Sequence, residues 1–144
     1  MTPTQIDLIR ASWVAVEPIA DTAAGLFYGR LFELDPAIER LFRRTDMAAQ
    51  RKVLMQTLTV VVKSLDRLDQ IVPAVQALGR RHAGYGVREE HYGTVGAALL
   101  WTLEQGLGES FTDPVRAAWT EAYGTLAAVM IEAARSEDVA EAAA

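Results

Sequence analysis

The chain has 144 residues, 51% of them hydrophobic and 23% charged, with a net charge of −5 and no cysteine. This length and composition are typical of one globular domain, and no apolar run approaches the roughly 20 residues that cross a bilayer. The negative charge repels phosphate backbones and so disfavours nucleic acid as a partner. The basic pair Arg80-Arg81 is too short to form a nucleic-acid binding site. The lack of cysteine excludes disulfides, iron–sulfur clusters and thiolate ligands. No signal peptide is visible in MTPTQIDLIR, so we expect a cytosolic protein.

The first helix is predicted from the capping pattern at its start. Thr2 supplies the capping side chain, Pro3 fits the first helical position, and Gln5 can complete a capping box. An apolar stripe follows at helical spacing: Ile6, Ile9, Trp13 and Val16. A second helix is expected from Asp21 to Leu34, because Asp35-Pro36 disfavours helical geometry beyond it. A short turn then spans residues 37–42.

Two further helices are predicted between residues 47 and 84. The first begins near Met47, and its spacing places four side chains on one face: Gln50, Leu54, Thr57 and Val61. After a polar link over residues 66–69, the second carries an apolar stripe that ends on a histidine: Ile71, Val75, Leu78 and His82. We expect Pro73 in the first turn of this helix, where proline is tolerated, and Gly84 and Gly86 at its end.

The remaining chain predicts two longer helices. One runs from Tyr92 to Leu107 and is closed by Gly108, and the other opens at Asp113-Pro114. Neither strand-length alternation nor a hairpin turn signal occurs. The sequence therefore predicts one all-α domain over residues 1–135, followed by a frayed tail over residues 136–144, which lack large apolar anchors.

Motifs for several other chemistries are missing. The chain has no glycine-rich phosphate cradle, no pair of Glu-x-x-His motifs for di-iron, too few ligands for structural zinc and no nucleophile elbow. What remains is His82 on an apolar helical face. Such a histidine can coordinate a flat apolar cofactor or be a hydrogen-bonded core residue, and periodicity alone leaves both open.

Four ordered blocks carry a family resemblance over about residues 4–134. They are LFYGRLFELDPAIERLF, AAQRKVLMQTL, LGRRHAGYGVREEHYGTVG and AAWTEAYGTLAAVM. Together they resemble the globin family, in particular the bacterial single-domain globins related to flavohaemoglobins. The resemblance implies a globin fold, a three-over-three helical sandwich around haem b, with His82 as the proximal iron ligand.

The resemblance also implies the residues that contact the haem ligand and the haem itself. Tyr28 and Gln50 match the distal groups that act on bound gas in this family. Their hydroxyl and amide donors suit that role, since donors favour an O2 ligand that draws electron density from ferrous haem. Each can instead be a satisfied polar residue at a helix edge. Since position 50 is not histidine, a bis-histidine state is not expected. The implied haem contacts are Phe42, Leu54, Leu58, Val61, Leu78, Arg81, Val87, Tyr92 and Val95.

On the proximal side, Tyr92 matches a tyrosine that bonds a glutamate of the last helix in flavohaemoglobins. Ala134 stands at the glutamate's position and Glu132 is the nearest acid, so a strongly activated iron is in doubt. Tyr92 can equally be a packed aromatic residue, and Arg81 can pair with a haem propionate or be solvated. His91 is expected at a helix start and not as a second ligand.

Two functions follow from the resemblance. The first is high-affinity binding of O2 and other diatomic ligands, coupled to conversion of nitric oxide to nitrate with an external reductase, since the chain has no flavin or nicotinamide motif. The second is a gas carrier, store or sensor without turnover. A haem-free helical interaction domain is a third interpretation of the same residues.

Overall fold

The computed structural model describes the backbone of residues 1–143 and the side chains of residues 1–136. Its helices are α1 (Pro3–Val16), α2 (Ala20–Leu34), α3 (Pro36–Glu39), α4 (Met47–Lys63), α5 (Leu68–Gly84), α6 (Glu89–Leu107) and α7 (Asp113–Ala143). Short 3-10 turns lie at Glu17–Ile19, Arg40–Phe42, Leu65–Arg67 and Gly108–Ser110. This backbone contains no strand, which confirms the all-α prediction. The frayed tail stays a prediction, because the side chains of 137–144 lie outside the described residues.

The helix ends follow the local signals of the sequence. Thr2 and Gln5 form the predicted capping box of α1. Asp46 caps α4, its Oδ1 accepting from the backbone N–H groups of Ala48 and Ala49. Gly108 ends α6 at φ +56, a conformation that favours glycine. Short-range capping chemistry therefore determines where these helices start and stop.

The position of Pro73 differs from the prediction. Helix α5 begins at Leu68, so Pro73 is its sixth residue and does not lie in the first turn. Leu68 is half-buried against the core, and this packing extends the helix into the predicted polar link. Pro73 has no N–H to offer the carbonyl of Asp69, yet the helix continues to Gly84.

The helices form two layers, with α1, α4 and α5 over α2, α6 and α7. The most extensive contacts join α5 to α7 and α2 to α6. Trp13 and Trp119 meet in the core with ring centroids 5.9 Å apart. Trp119 Nε1 donates to Ser12 Oγ at 2.8 Å, and Trp13 Nε1 donates to Thr59 Oγ1 at 3.1 Å. These bonds satisfy the buried indoles and tie α1 to α7 and α4. Among the described residues, no helix is both long and apolar enough to cross a membrane.

Gly79 permits the close contact between α5 and α7. A Cβ built on Gly79 would lie 2.5 Å from the Met130 carbonyl oxygen, which is too close for a larger residue without displacement. Since Gly79 precedes His82 by less than one helical turn, this contact positions the histidine relative to the rest of the fold.

Candidate functional site

His82 is half-buried near the end of α5, with its ring oriented by the backbone. Its Nδ1 lies 2.8 Å from the Leu78 carbonyl oxygen. Because a carbonyl only accepts, Nδ1 carries the hydrogen and Nε2 of the neutral ring keeps a free lone pair. Nε2 has no hydrogen-bond partner in the part of the chain that the structure describes. This is the arrangement in which a histidine ligates a metal.

The protonation of His82 also suits a ligand. Burial lowers the pKa of the imidazole, and the charge of Arg81 acts in the same direction. The hydrogen bond to Leu78 opposes these effects without reversing them. The ring is therefore neutral at neutral pH, and its Nε2 can donate electrons to a metal.

Tyr28 of α2 and Gln50 of α4 form a hydrogen-bonded pair. Tyr28 is 6% exposed, and Gln50 Nε2 donates to its hydroxyl oxygen at 3.1 Å. Because the amide is the donor, the phenolic hydrogen remains able to donate to a third group. Burial raises the pKa of Tyr28, and the weaker opposing effect of Gln50 does not cancel it. The phenol is therefore a neutral donor at neutral pH.

Aromatic rings pack around Tyr28. The Phe42 ring lies 5.6 Å from the Tyr28 ring between centroids, in an edge-to-face arrangement. The Phe32 ring, which was not among the predicted site residues, lies 6.0 Å from the Tyr28 ring and 5.5 Å from the Phe42 ring. The available signal was its position four residues after Tyr28, which places both on one face of α2.

The apolar residues expected to contact a cofactor fit a flat apolar group. Eight of them are only half-buried: Phe42, Leu54, Leu58, Val61, Leu78, Val87, Tyr92 and Val95. Five pack against the same core cluster as Tyr28, namely Phe42, Leu54, Leu58, Val61 and Val95, whereas Leu78, Val87 and Tyr92 do not. Half-buried apolar side chains of this kind are what a flat apolar group such as haem would cover. Arg81, beside His82, is exposed, so its guanidinium is available to pair with a propionate.

Tyr92 lacks the carboxylate partner that the resemblance implies. Its side chain is half-buried, burial raises its pKa, and its hydroxyl has no hydrogen bond to any residue that the structure describes. Ala134 lines the same groove, which has a volume of about 490 Å³. No bond joins Glu132 to Tyr92, and Glu89 is instead paired with Arg135 at 2.7 Å. Glu132 therefore does not replace the missing glutamate.

His91 caps the start of α6, as expected. Its Nδ1 accepts from the backbone N–H of Arg88 at 2.9 Å. The described side chains contain no group of three or more His, Asp or Glu placed to bind a metal ion.

Comparisons with known proteins indicate one family. The family model for Globin matches residues 25–130. A flavohemoprotein of Bacillus subtilis is 30% identical over 88% of this chain, and a neuroglobin of Chaenocephalus aceratus is 31% identical over 94% of both chains. The solved bacterial globin of Campylobacter jejuni superposes with a TM-score of 0.82 at 26% identity, covering 94% of this chain and 97% of that one. The chain spans about a third of the curated flavohemoproteins that it matches.

Proposed function

The chain belongs to the globin family, a family of haem proteins that bind small gases, and we propose that it binds haem b through His82 and holds O2 with high affinity. His82 Nε2 would be the proximal ligand of the iron. Tyr28 and Gln50 would be the distal groups that stabilise the gas. A cytosolic location, expected from the sequence, is part of this proposal.

The hydrogen bond between Gln50 and Tyr28 carries the proposal. It holds the phenol in place and leaves the phenolic hydrogen and the second amide hydrogen of Gln50 able to donate. Bound haem would supply an iron centre that gives electron density to O2, so these donors would stabilise O2 more than a neutral ligand such as carbon monoxide. Each such bond contributes about 1.5–3 kcal/mol when the acceptor carries charge.

The first candidate activity is conversion of nitric oxide to nitrate. When bound, ferrous haem supplies the O2-binding centre and one electron, so that O2, nitric oxide and this electron give nitrate and leave ferric iron. Tyr28 and Gln50 orient the dioxygen, while Leu54 and Val61 limit the access of water. The proposal also needs an electron donor that returns the iron to the ferrous state, because these 144 residues carry no flavin- or nicotinamide-binding motif.

A gas carrier, store or sensor without turnover is the second candidate. The observation that favours it is the Tyr92 hydroxyl, which lacks a carboxylate partner among the described residues. Without that partner, the proximal imidazole is not made a stronger electron donor. An iron with an ordinary neutral histidine ligand favours reversible binding.

Optical spectra combined with stopped-flow mixing test these functions. We expect purified protein to give a Soret band after haem addition and a stable oxygenated spectrum after reduction in air. Mixing the oxygenated protein with nitric oxide should yield ferric protein and one nitrate per haem. Oxygenation without nitrate would leave the carrier function, and the lack of any Soret band would refute both in favour of a haem-free interaction domain.

A further inference from the structure

The short segment before and into α4 is strongly basic in an otherwise acidic chain. Residues 40–52 contain five of the 14 basic residues and one of the 19 acidic residues. The rest of the chain holds nine basic and eighteen acidic residues. We call the five cations the basic patch: Arg40, Arg43, Arg44, Arg51 and Lys52.

The cations of the basic patch are not used in ion pairs with described carboxylates. Most other arginines are, as Arg10 with Asp66 and Arg116 with Glu104 show. Asp46, the single acid within the segment, caps the N-terminus of α4 instead. The basic patch therefore concentrates like charge without a local partner, and the stability of the fold does not explain it.

The basic patch is accessible and arginine-rich. All of its members except Arg51 are exposed, and Arg51 is half-buried. Arg40, Arg43 and Arg44 line a concavity of about 340 Å³ together with Leu41. Guanidinium groups grouped in this way favour carboxylates or phosphates as partners, because their planar donors bind such anions in pairs.

The basic patch lies next to candidate haem-site residues in the sequence, and its neighbour Leu41 lies near the segment that follows α5. Phe42 lies between Arg40 and Arg43, and Gln50 directly precedes Arg51. Leu41 lies near the turn after α5, since a Cβ built on Gly86 would be 3.3 Å from Leu41 Cδ2. The patch therefore extends from the Tyr28 and Gln50 side towards the helix end that carries His82.

We propose that the basic patch is the docking surface of an acidic electron-donor protein that reduces the haem iron. This inference rests on the proposed function, since turnover with nitric oxide leaves ferric iron that needs one electron. A partner with a negative surface is attracted to the basic patch and repelled by the acidic remainder of the chain. Such steering raises association rates by about 10- to 1,000-fold at low salt and fixes orientation.

The test uses a photoreduced flavodoxin, a small acidic flavin protein, as the probe and the ferric haem-loaded protein as the acceptor. We compare wild type with the variant R40Q/R43Q/R44Q/K52Q, because the four replaced side chains make no hydrogen bond or ion pair with a described residue. We expect a second-order rate constant at least tenfold lower at low ionic strength, with a flatter dependence on salt. An equal rate constant with an equal salt dependence overturns the proposal.

Two single substitutions on α4 provide a matched control. Lys52 and Lys63 are both exposed and neither is ion-paired with a described carboxylate, but they lie about 16 Å apart along the helix. Lys52→Gln should slow reduction by about two- to threefold, whereas Lys63→Gln should leave it unchanged. Equal slowing by both would show a general charge effect and refute a specific surface.

Binding without electron transfer gives an independent measurement. Calorimetric titration of the ferric protein with oxidised flavodoxin should detect an association that the quadruple variant loses. Patch-dependent binding of phosphatidylglycerol vesicles or inorganic pyrophosphate, without flavodoxin binding, would assign the patch to another partner and overturn the proposal. If the quadruple variant has normal Soret and oxygenated spectra, a normal melting temperature and unaffected flavodoxin kinetics, only this inference is refuted. If the wild-type protein fails to bind haem or O2, the proposed function is refuted.

Discussion

The two sides of the candidate haem site differ in how their polar groups are satisfied. On the distal side, Tyr28 is almost fully buried and Gln50 donates to it. On the proximal side, His82 is held only by the Leu78 carbonyl, and the half-buried Tyr92 hydroxyl has no partner among the described residues. The distal side is thus organised around a side-chain pair, and the proximal side around the backbone.

This difference separates two tasks. A carbonyl acceptor fixes the orientation and tautomer of His82 but carries no full charge, so it increases the basicity of the imidazole less than a carboxylate would. The distal donors act on the gas directly. Ligand affinity should therefore respond mainly to changes on the distal side, and haem retention and iron potential to changes on the proximal side.

The largest effect should come from removal of the proximal ligand. We expect His82→Gly to lose haem at least about 100-fold faster, since even changes behind a metal ligand cost roughly 10- to 100-fold. Added imidazole should restore the Soret band. The control is His91→Ala, which removes a helix cap worth about 1 kcal/mol but no proposed ligand. Equal haem loss by both variants would contradict the assignment of His82.

Loss of the distal hydroxyl should affect the ligand and not the haem. Tyr28→Phe removes a donor worth about 1.5–3 kcal/mol, so the O2 dissociation rate should rise about 10- to 150-fold in stopped-flow displacement by carbon monoxide. Tyr85→Phe, at a residue that is 69% exposed, should leave this rate unchanged. A rate unaffected by Tyr28→Phe would count against both candidate functions.

Crowding of the contact between α5 and α7 should disturb the proximal side alone. Gly79→Ala places a Cβ against the Met130 backbone and should cost about 1–3 kcal/mol in urea unfolding, with faster haem loss. Gly84→Ala is the matched control, because no heavy atom lies within 4 Å of its added Cβ. A faster O2 dissociation in Gly79→Ala would show that the two sides are not separable.

A carboxylate at position 134 should give the proximal side a hydrogen-bonded pair of side chains, as Tyr28 and Gln50 form on the distal side. Ala134 and Tyr92 line one groove, so Ala134→Glu should give the Tyr92 hydroxyl a charged acceptor. We expect the iron reduction potential to fall by on the order of tens of millivolts. Neither Ala134→Gln nor Ala134→Glu combined with Tyr92→Phe should reproduce the shift. The same fall in that double variant would exclude action through Tyr92.

The smallest effect concerns pH. Because burial raises the pKa of Tyr28 above 10.0, the phenol keeps its proton throughout the neutral and mildly alkaline range. The O2 dissociation rate should therefore stay constant from about pH 7 to 10 and increase only above that range, as the donor is lost. A transition with a midpoint below pH 10 would mean that Tyr28 is not the donor.

The helices, most of their ends and the apolar face that carries His82 could be predicted from the sequence. These features depend on residues within one or two turns of each other, such as Thr2 with Gln5 or Asp46 with the next backbone N–H groups, so local chemistry specifies them. The identities of Tyr28, Gln50 and Tyr92 as candidate site residues were also available, through the ordered blocks that resemble globins.

Which of these side chains meet depends on how the helices pack in three dimensions. Gln50 reaches Tyr28 across 22 residues. Among the described side chains, the Tyr92 hydroxyl meets no carboxylate, although acids are near in sequence. Pro73 lies inside α5 because Leu68 packs on the core. Each outcome depends on the distance between separate helices. Helix packing sets that distance, and periodicity within one helix does not encode it.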